Sequence, residues 1–278
     1  MKVTLWGTRG SLSTPGPETA RYGGNTSCVE VRGPEGTILV LDAGTGIRRL
    51  GPALSGARRV DLLLTHLHMD HIQGLGFFAP LYVSDLDVHI WGPASTTLSL
   101  PTRLGRYLSP PLFPVRLRDL PCQLTLHDVH QSDFEVGEFR VTSALVCHPG
   151  PTVGYRIAAS SATMAYLPDH EPALGLRDFP LSAEWTSGAA LAADVDLLIH
   201  DAQYSGGEYD AHVGWGHSSL PQALKFGDLT RVKHLVAFHH DPGHSDDALE
   251  RLLAEVVGPR TPGFPVTLGA EGATFELP

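Results

Sequence analysis

Apolar residues along the chain come in short runs separated by turns rich in Gly and Pro, and most runs predict strands. The first, Val3 to Gly7, leads into a loop holding Thr8-Arg9-Gly10-Ser11 and Pro15-Gly16-Pro17. Gly23-Gly24-Asn25-Thr26 precedes a strand from Ser27 to Val31, and Gly33-Pro34-Glu35-Gly36 turns the chain into Thr37 to Asp42. Ala43-Gly44-Thr45-Gly46 starts a short helix toward Leu50. Val60 to Leu64 reads as a buried strand, Ile72 to Leu81 as a short helix and Val88 to Trp91 as a strand. Residues 92–121 are less regular and rich in Pro. A long loop is often functional. This one is either a wall or lid over a site, carrying Tyr107, Leu112 and Phe113, or a helix with a peripheral connection.

Leu124 to Leu126, Phe134 to Val136 and Phe139 to Val146 predict a meander that turns at Gly137 and continues through Thr152 to Ala158 and Thr163 to Leu167. Asp196 to His200 is a buried strand, Ser218 to Phe226 a helix and His234 to His239 an apolar strand. Ser245 caps a last amphipathic helix, with Asp246 and Asp247 in its first turn and Leu249, Leu252, Leu253 and Val256 on one face. Val266 to Leu268 and Thr274 to Leu277 finish with strands. With no internal repeat or linker, residues 1–278 read as one domain.

Composition adds limits. Apolar residues make up 42%, which suits an ordinary globular core. No run reaches the roughly 18 apolar residues needed to span a bilayer, so no membrane is expected. The alternating start lacks a signal peptide's charged and apolar regions. Three Cys, an odd number, argue against a disulfide framework. Together these predict a cytoplasmic protein. Net charge is −10, and only Lys2, Lys225 and Lys233 are lysines. That balance predicts no long nucleic acid as partner. Small anionic substrates remain open, because a bound metal supplies local positive charge.

The strongest chemical signal is Thr65-His66-Leu67-His68-Met69-Asp70-His71, directly after the apolar run 60–64. Residues two apart on an extended segment face the same way, so His66 and His68 can grip one divalent ion. The chain then turns into a helix, which aims Asp70 and His71 differently and suits a second ion beside the first. Two adjacent metals suit hydrolysis. A single structural zinc is the weaker reading, since closed sites usually take two or more nearby Cys. Cys28, Cys122 and Cys147 are far apart. Three further polar residues end apolar strands: His148, Asp169 and His239. A strand-end His alone is often merely hydrogen-bonded.

His-x-His-x-Asp-His after an apolar strand resembles the signature of the metallo-β-lactamase fold superfamily, and the later landmarks follow in that superfamily's order. The resemblance implies an α/β fold, a four-layer αββα sandwich with the metals at one edge of two packed sheets. It further implies that His66, His68 and His148 hold one metal, that Asp70, His71 and His239 hold the other, and that Asp169 bridges. Zinc is the expected metal, manganese the alternative. His240 competes with His239, which is preferred because it comes first after the apolar run. Asp42 matches an acid that supports the metal loop. His170 is left outside the ligand set, and Cys147 is read as core.

Fold alone does not give the substrate. Asp196-Leu197-Leu198-Ile199-His200-Asp201 and Gly216-His217-Ser218-Ser219 resemble the phosphodiesterase branch that includes ribonuclease Z. In that branch the strand-end acid orients the loop His, which protonates the leaving oxygen. Asp201 and His217 would take those parts, with Asp70 counted among the catalytic residues. The Gly- and Lys-rich arm of ribonuclease Z is missing. The resulting expectation is a dinuclear hydrolase of small phosphodiesters, cyclic or short nucleotides, acting through a metal-activated hydroxide and possible as a homodimer. Alternatives are a lactone hydrolase, for which Tyr204 speaks, a thioester or carboxylic ester hydrolase, and a metal-retaining binding or signalling protein.

Overall fold

A computed structural model describes residues 1–173, 179, 182–258 and 262–278. Its strands are β1 (Lys2–Gly7), β2 (Cys28–Arg32), β3 (Ile38–Leu41), β4 (Arg59–Leu63), β5 (Asp87–Pro93), β6 (Gln123–Val129), β7 (Ser132–Val136), β8 (Phe139–Leu145), β9 (Val153–Ala159), β10 (Ala162–Leu167), β11 (Leu197–Asp201), β12 (Leu235–Phe238), β13 (Val266–Leu268) and β14 (Thr274–Glu276). Helices are α1 (Ile47–Ala53), α2 (Met69–Ile72), α3 (Leu100–Tyr107), α4 (Ala189–Ala192), α5 (Gly206–His212), α6 (Leu220–Thr230) and α7 (Asp246–Val257).

Among the described residues the strands form two seven-stranded sheets, ordered β14-β1-β2-β3-β4-β5-β6 and β13-β12-β11-β10-β9-β8-β7. Between them lies a core fed from both, with Val3, Leu5, Leu39 and Leu41 on one side and Tyr155, Ile157, Ile199 and Phe238 on the other. Ile47, Leu50, Leu100 and Leu104 cover the outer face of the first sheet. Ala189, Leu191, Ala223, Phe226 and Leu249 cover that of the second. The result is the expected four-layer αββα sandwich.

Strands β3 to β6 run parallel, as do β10 to β13. The inner strands β3 and β12 are buried along their whole length, which explains the unbroken apolar runs at Ile38–Leu41 and Leu235–Phe238. Their carboxyl ends are where open α/β sheets collect polar chemistry. Ser245 caps α7 by accepting from Ala248 N, as the sequence predicts. Among the described residues no helix is long and apolar enough to cross a membrane.

Two expectations change, and for residues 92–121 one of the two alternatives holds. The predicted meander is split: β6 pairs in parallel with β5 in the first sheet, and only β7 pairs with β8 in the second. Between them the chain changes sheets, and Ser143 Oγ fixes the crossing by donating to His130 O at 2.6 Å. The predicted helix from Ile72 to Leu81 is instead the single turn of α2 followed by two short 3-10 turns, Leu75–Phe77 and Ala79–Tyr82. Gly74, Gly76 and Pro80 interrupt any longer α-helix. Residues 92–121 form α3 and a peripheral connection, with Leu100, Leu104, Leu108, Phe113 and Leu117 buried against the first sheet's outer cluster.

Candidate metal centre

His66 and His68 follow β4 in extended backbone, and His68 (φ −67°, ψ 154°) is the residue before α2. The first turn of α2 carries Asp70 and His71. His148 follows β8, Asp169 follows β10 and His239 follows β12. Two groups result. The ligand atoms of His66, His68 and His148 lie within 4.8 Å of one another, as do those of Asp70, His71, Asp169 and His239. In the second group Nε2 of His239 is 3.1 Å from Asp70 Oδ2 and 3.3 Å from Asp169 Oδ2. Asp169 lies between the groups, its Oδ2 at 3.7 Å from Nε2 of both His66 and His148.

These residues fit a divalent metal on their own terms. His66 Nε2, His71 Nε2 and Asp169 Oδ1 are buried and have no hydrogen-bond partner. The 2.9 Å approach of His71 Nε2 to Asp169 Oδ1 therefore lacks hydrogen-bond geometry. Buried polar atoms are costly to leave unpaired, yet here they converge in one place. Burial pushes His66 and His148 down, which keeps each imidazole neutral as coordination requires. Burial would raise the Asp169 carboxyl, but His239, His71 and His66 hold it well below its ordinary range. Burial opposes charge on His71, while Asp169, Asp70 and Asp42 pull it well above its ordinary value. Coordination through Nε2 requires that atom unprotonated, so a metal would compete with a proton there.

Outer hydrogen bonds aim the rings. Buried Asp42, held at φ +58°, accepts from Thr65 N at 2.7 Å and from His71 Nδ1 at 2.8 Å. Tyr166 also donates to it, at 3.0 Å. His148 Nδ1 donates to Gly216 O at 2.8 Å, and His239 Nδ1 donates to Gln203 Oε1 at 3.0 Å. Each bond fixes the tautomer that leaves Nε2 facing the cluster. His240 turns away and donates to Gly269 O. His170 is buried against His200 at 2.9 Å, outside both groups. Cys147, expected in the core, is only half-buried. Gly10 passes so close to His239 that a Cβ there would lie 2.2 Å from its Nδ1.

His217 sits beside the cluster on the loop before α6. Its Nδ1 is 2.7 Å from Asp201 Oδ2 and 4.0 Å from Asp169 Oδ2. Asp201 is fully buried and also accepts from the backbone N–H groups of His170, Gln203 and Ser218. Burial opposes protonation of His217, but Asp201 outweighs it and lifts the imidazole to about 9. Divalent cations bound nearby would bring that value down.

Three contributors were not read from the sequence. Gln203 orients His239. Fully buried Arg9 joins the 9–25 loop to α7, donating to Gly23 O at 2.8 Å and pairing with Asp246 at 3.4 Å. Buried Glu171 accepts from Tyr209 OH at 2.7 Å and from Gly214 N and Gly216 N at 2.8 Å, which fixes the loop carrying His217. Gly216 adopts φ +89°, open only to glycine at low cost. The available signal was spacing: Gln203 and Glu171 each lie two residues beyond a strand-end acid, on the same side of an extended turn. Glu171→Ala strands three donors, and urea unfolding is expected to show a loss of about 3 kcal/mol.

Fold and site together define a metal-dependent hydrolase. Residues 37–240 match the family described as "Beta-lactamase superfamily domain". The chain belongs to that family, on its ribonuclease Z-like side. A Ribonuclease Z of Crocosphaera subtropica is 25% identical, covering 100% of this chain and 98% of that protein. The metallo-beta-lactamase fold protein YhfI from Bacillus subtilis superposes with a TM-score of 0.72 at 17% identity, covering 99% of both chains. The short form of human tRNase Z gives a TM-score of 0.65 at 21% identity, covering 100% of both. Two of these overturn the expectation of no long nucleic acid, since one is named a ribonuclease and the other is named for tRNA. The error lay in using net charge, a whole-chain sum, to judge a local surface.

Proposed function

We propose that the protein hydrolyses phosphodiesters and accepts small ones, cyclic or short nucleotides, with zinc in both residue groups and manganese as the alternative. The observation that carries this reading is the 2.7 Å Asp201–His217 pair beside the two groups. Mere metal storage needs no oriented proton donor. His66, His68 and His148 would hold one cation, Asp70, His71 and His239 the other, with Asp169 shared. When bound, two such cations supply Lewis acidity that acidifies water and neutralises charge growing on the phosphoryl oxygens. The chain's own residues do the rest. Asp201 holds Nδ1 of His217, so Nε2 is the atom free to deliver a proton to the departing oxygen. Glu171 keeps that loop in place, and Asp42 keeps His71 turned inward. A cavity of about 360 Å³ opens beside His217, room enough for part of a nucleotide.

A panel of substrates tests the reading: bis-p-nitrophenyl phosphate, cyclic nucleotides, a transfer-RNA precursor, a lactone, a thioester and nitrocefin, each with metal-loaded protein. Phosphodiesters, small ones included, should turn over at least as fast as the other classes. Tyr204 lines the same cavity and supports lactone hydrolysis as the second reading. Turnover confined to the lactone, thioester or nitrocefin would overturn the phosphodiesterase assignment.

A further inference from the structure

The cavity beside His217 is lined by Ser11, Gln203, Tyr204, Glu208, His212, Trp215, His217 and Asp241. Because His217 delivers its proton to the leaving oxygen, the group attached to that oxygen must lie on this side. Trp215 is 60% exposed, an unusual state for an indole. It is nevertheless held. Its backbone N–H donates to His212 O at 3.0 Å, and the backbone N–H groups of both neighbouring glycines donate to Glu171. His212 meets Trp215 edge-on at 4.7 Å and stacks on Tyr204 at 4.5 Å, which makes an aromatic wall. The lining holds no Lys or Arg and includes two acids. Glu208 is engaged by His244 and Ser205 N, and Asp241 by Gln203 and Gly243 N. Apart from His217, whose charge is already paired with Asp201, the lining offers an anionic leaving group only two carboxylates. A neutral flat ring would cover exposed indole surface and lose nothing.

We propose that this cavity is the subsite for the leaving alcohol, and that it selects an alcohol bearing an uncharged heteroaromatic ring, with Trp215 as the stacking surface. The proposal rests on the phosphodiesterase reading for the word "leaving". The subsite itself does not need turnover to be seen.

The test uses the free alcohol, which carries no phosphate for the metals to attract. Adenosine should bind the metal-loaded protein by titration calorimetry and compete with bis-p-nitrophenyl phosphate, while ribose at the same concentration should do neither. Trp215→Ala should weaken adenosine about tenfold, the usual scale for a lost stacking partner, and Trp215→Phe should restore most of it. Metal content and melting temperature, measured in parallel, should stay at wild-type values in both variants. Adenosine binding without phosphodiester cleavage would support the subsite and defeat the phosphodiesterase reading. Normal phosphodiester cleavage with adenosine binding unchanged in Trp215→Ala, or with ribose binding equally well, would defeat the subsite alone.

Discussion

His217→Ala should slow the cleavage of nucleotide phosphodiesters by about 10² to 10⁴, the range for a lost general acid, while metal content stays at the wild-type level. Geometry motivates both halves. Nδ1 of His217 is occupied by Asp201 at 2.7 Å, which leaves it as a poor candidate ligand through that atom. Proximity alone does not settle the role, because His217 also falls within 4.8 Å groupings with His148 and Asp169 and with Asp201 and His239. The leaving group discriminates. A nucleoside alkoxide is a strong base and needs the proton. p-Nitrophenolate is a stable anion and leaves without it, so that substrate should lose least. The protonated ring is the active form, so activity governed by His217 is present below its pKa and lost above it. That alkaline limb should vanish in His217→Ala. Asp201→Asn should give a weaker version, since it disturbs only orientation and basicity. Equal losses across leaving groups, or a fall in bound metal, would make His217 a ligand or a structural residue.

Asp169→Ala should have the largest effect on metal itself. Its two oxygens lie between His71, His239, His66 and His148, at 2.9 to 3.7 Å from their Nε2 atoms. Removing them takes a donor from both groups and also the negative charge that favours cations there. Elemental analysis should fall from about two divalent ions per chain to well below one. Hydrolysis should fall by on the order of 10³ or more, since several kcal/mol of charge stabilisation depends on the cations and each 1.4 kcal/mol is a decade. Retention of two ions, or of more than a tenth of the rate, would show that Asp169 is not shared between them.

How much of this site could be read from the chain depended on sequence distance. His66, His68, Asp70 and His71 were legible because a strand end and a helix start convert spacing into direction over six residues. His148, Asp169 and His239 were legible as polar ends of apolar strands, but their convergence needs sheet order, which local pattern does not encode. The structure places His239 beside Asp70 and Asp169, with left-handed backbone (φ +58°), and His240 against Gly269 O. The split of β6 from β7 was missed because both look like halves of one meander. The chain's change of sheet at residue 130 leaves no mark in hydropathy. Glu171 was missed because a buried acid bound to backbone amides looks, in sequence, like any surface acid.

Of the seven proposed ligands, His66, His68, Asp70 and His71 come from the first sheet's half of the chain, and His148, Asp169 and His239 from the second. Cations held there would therefore act as cross-links between two sheets, beside the apolar core and the Tyr166–Asp42 and Tyr155–Leu64 hydrogen bonds that already join them. Ligand binding restricted to the native state adds to its stability in proportion to the logarithm of free metal concentration. The centre would then set how readily the sandwich opens along its edge as well as what it cleaves. Chelation and heating, so often treated as separate stresses, would press on the same seam.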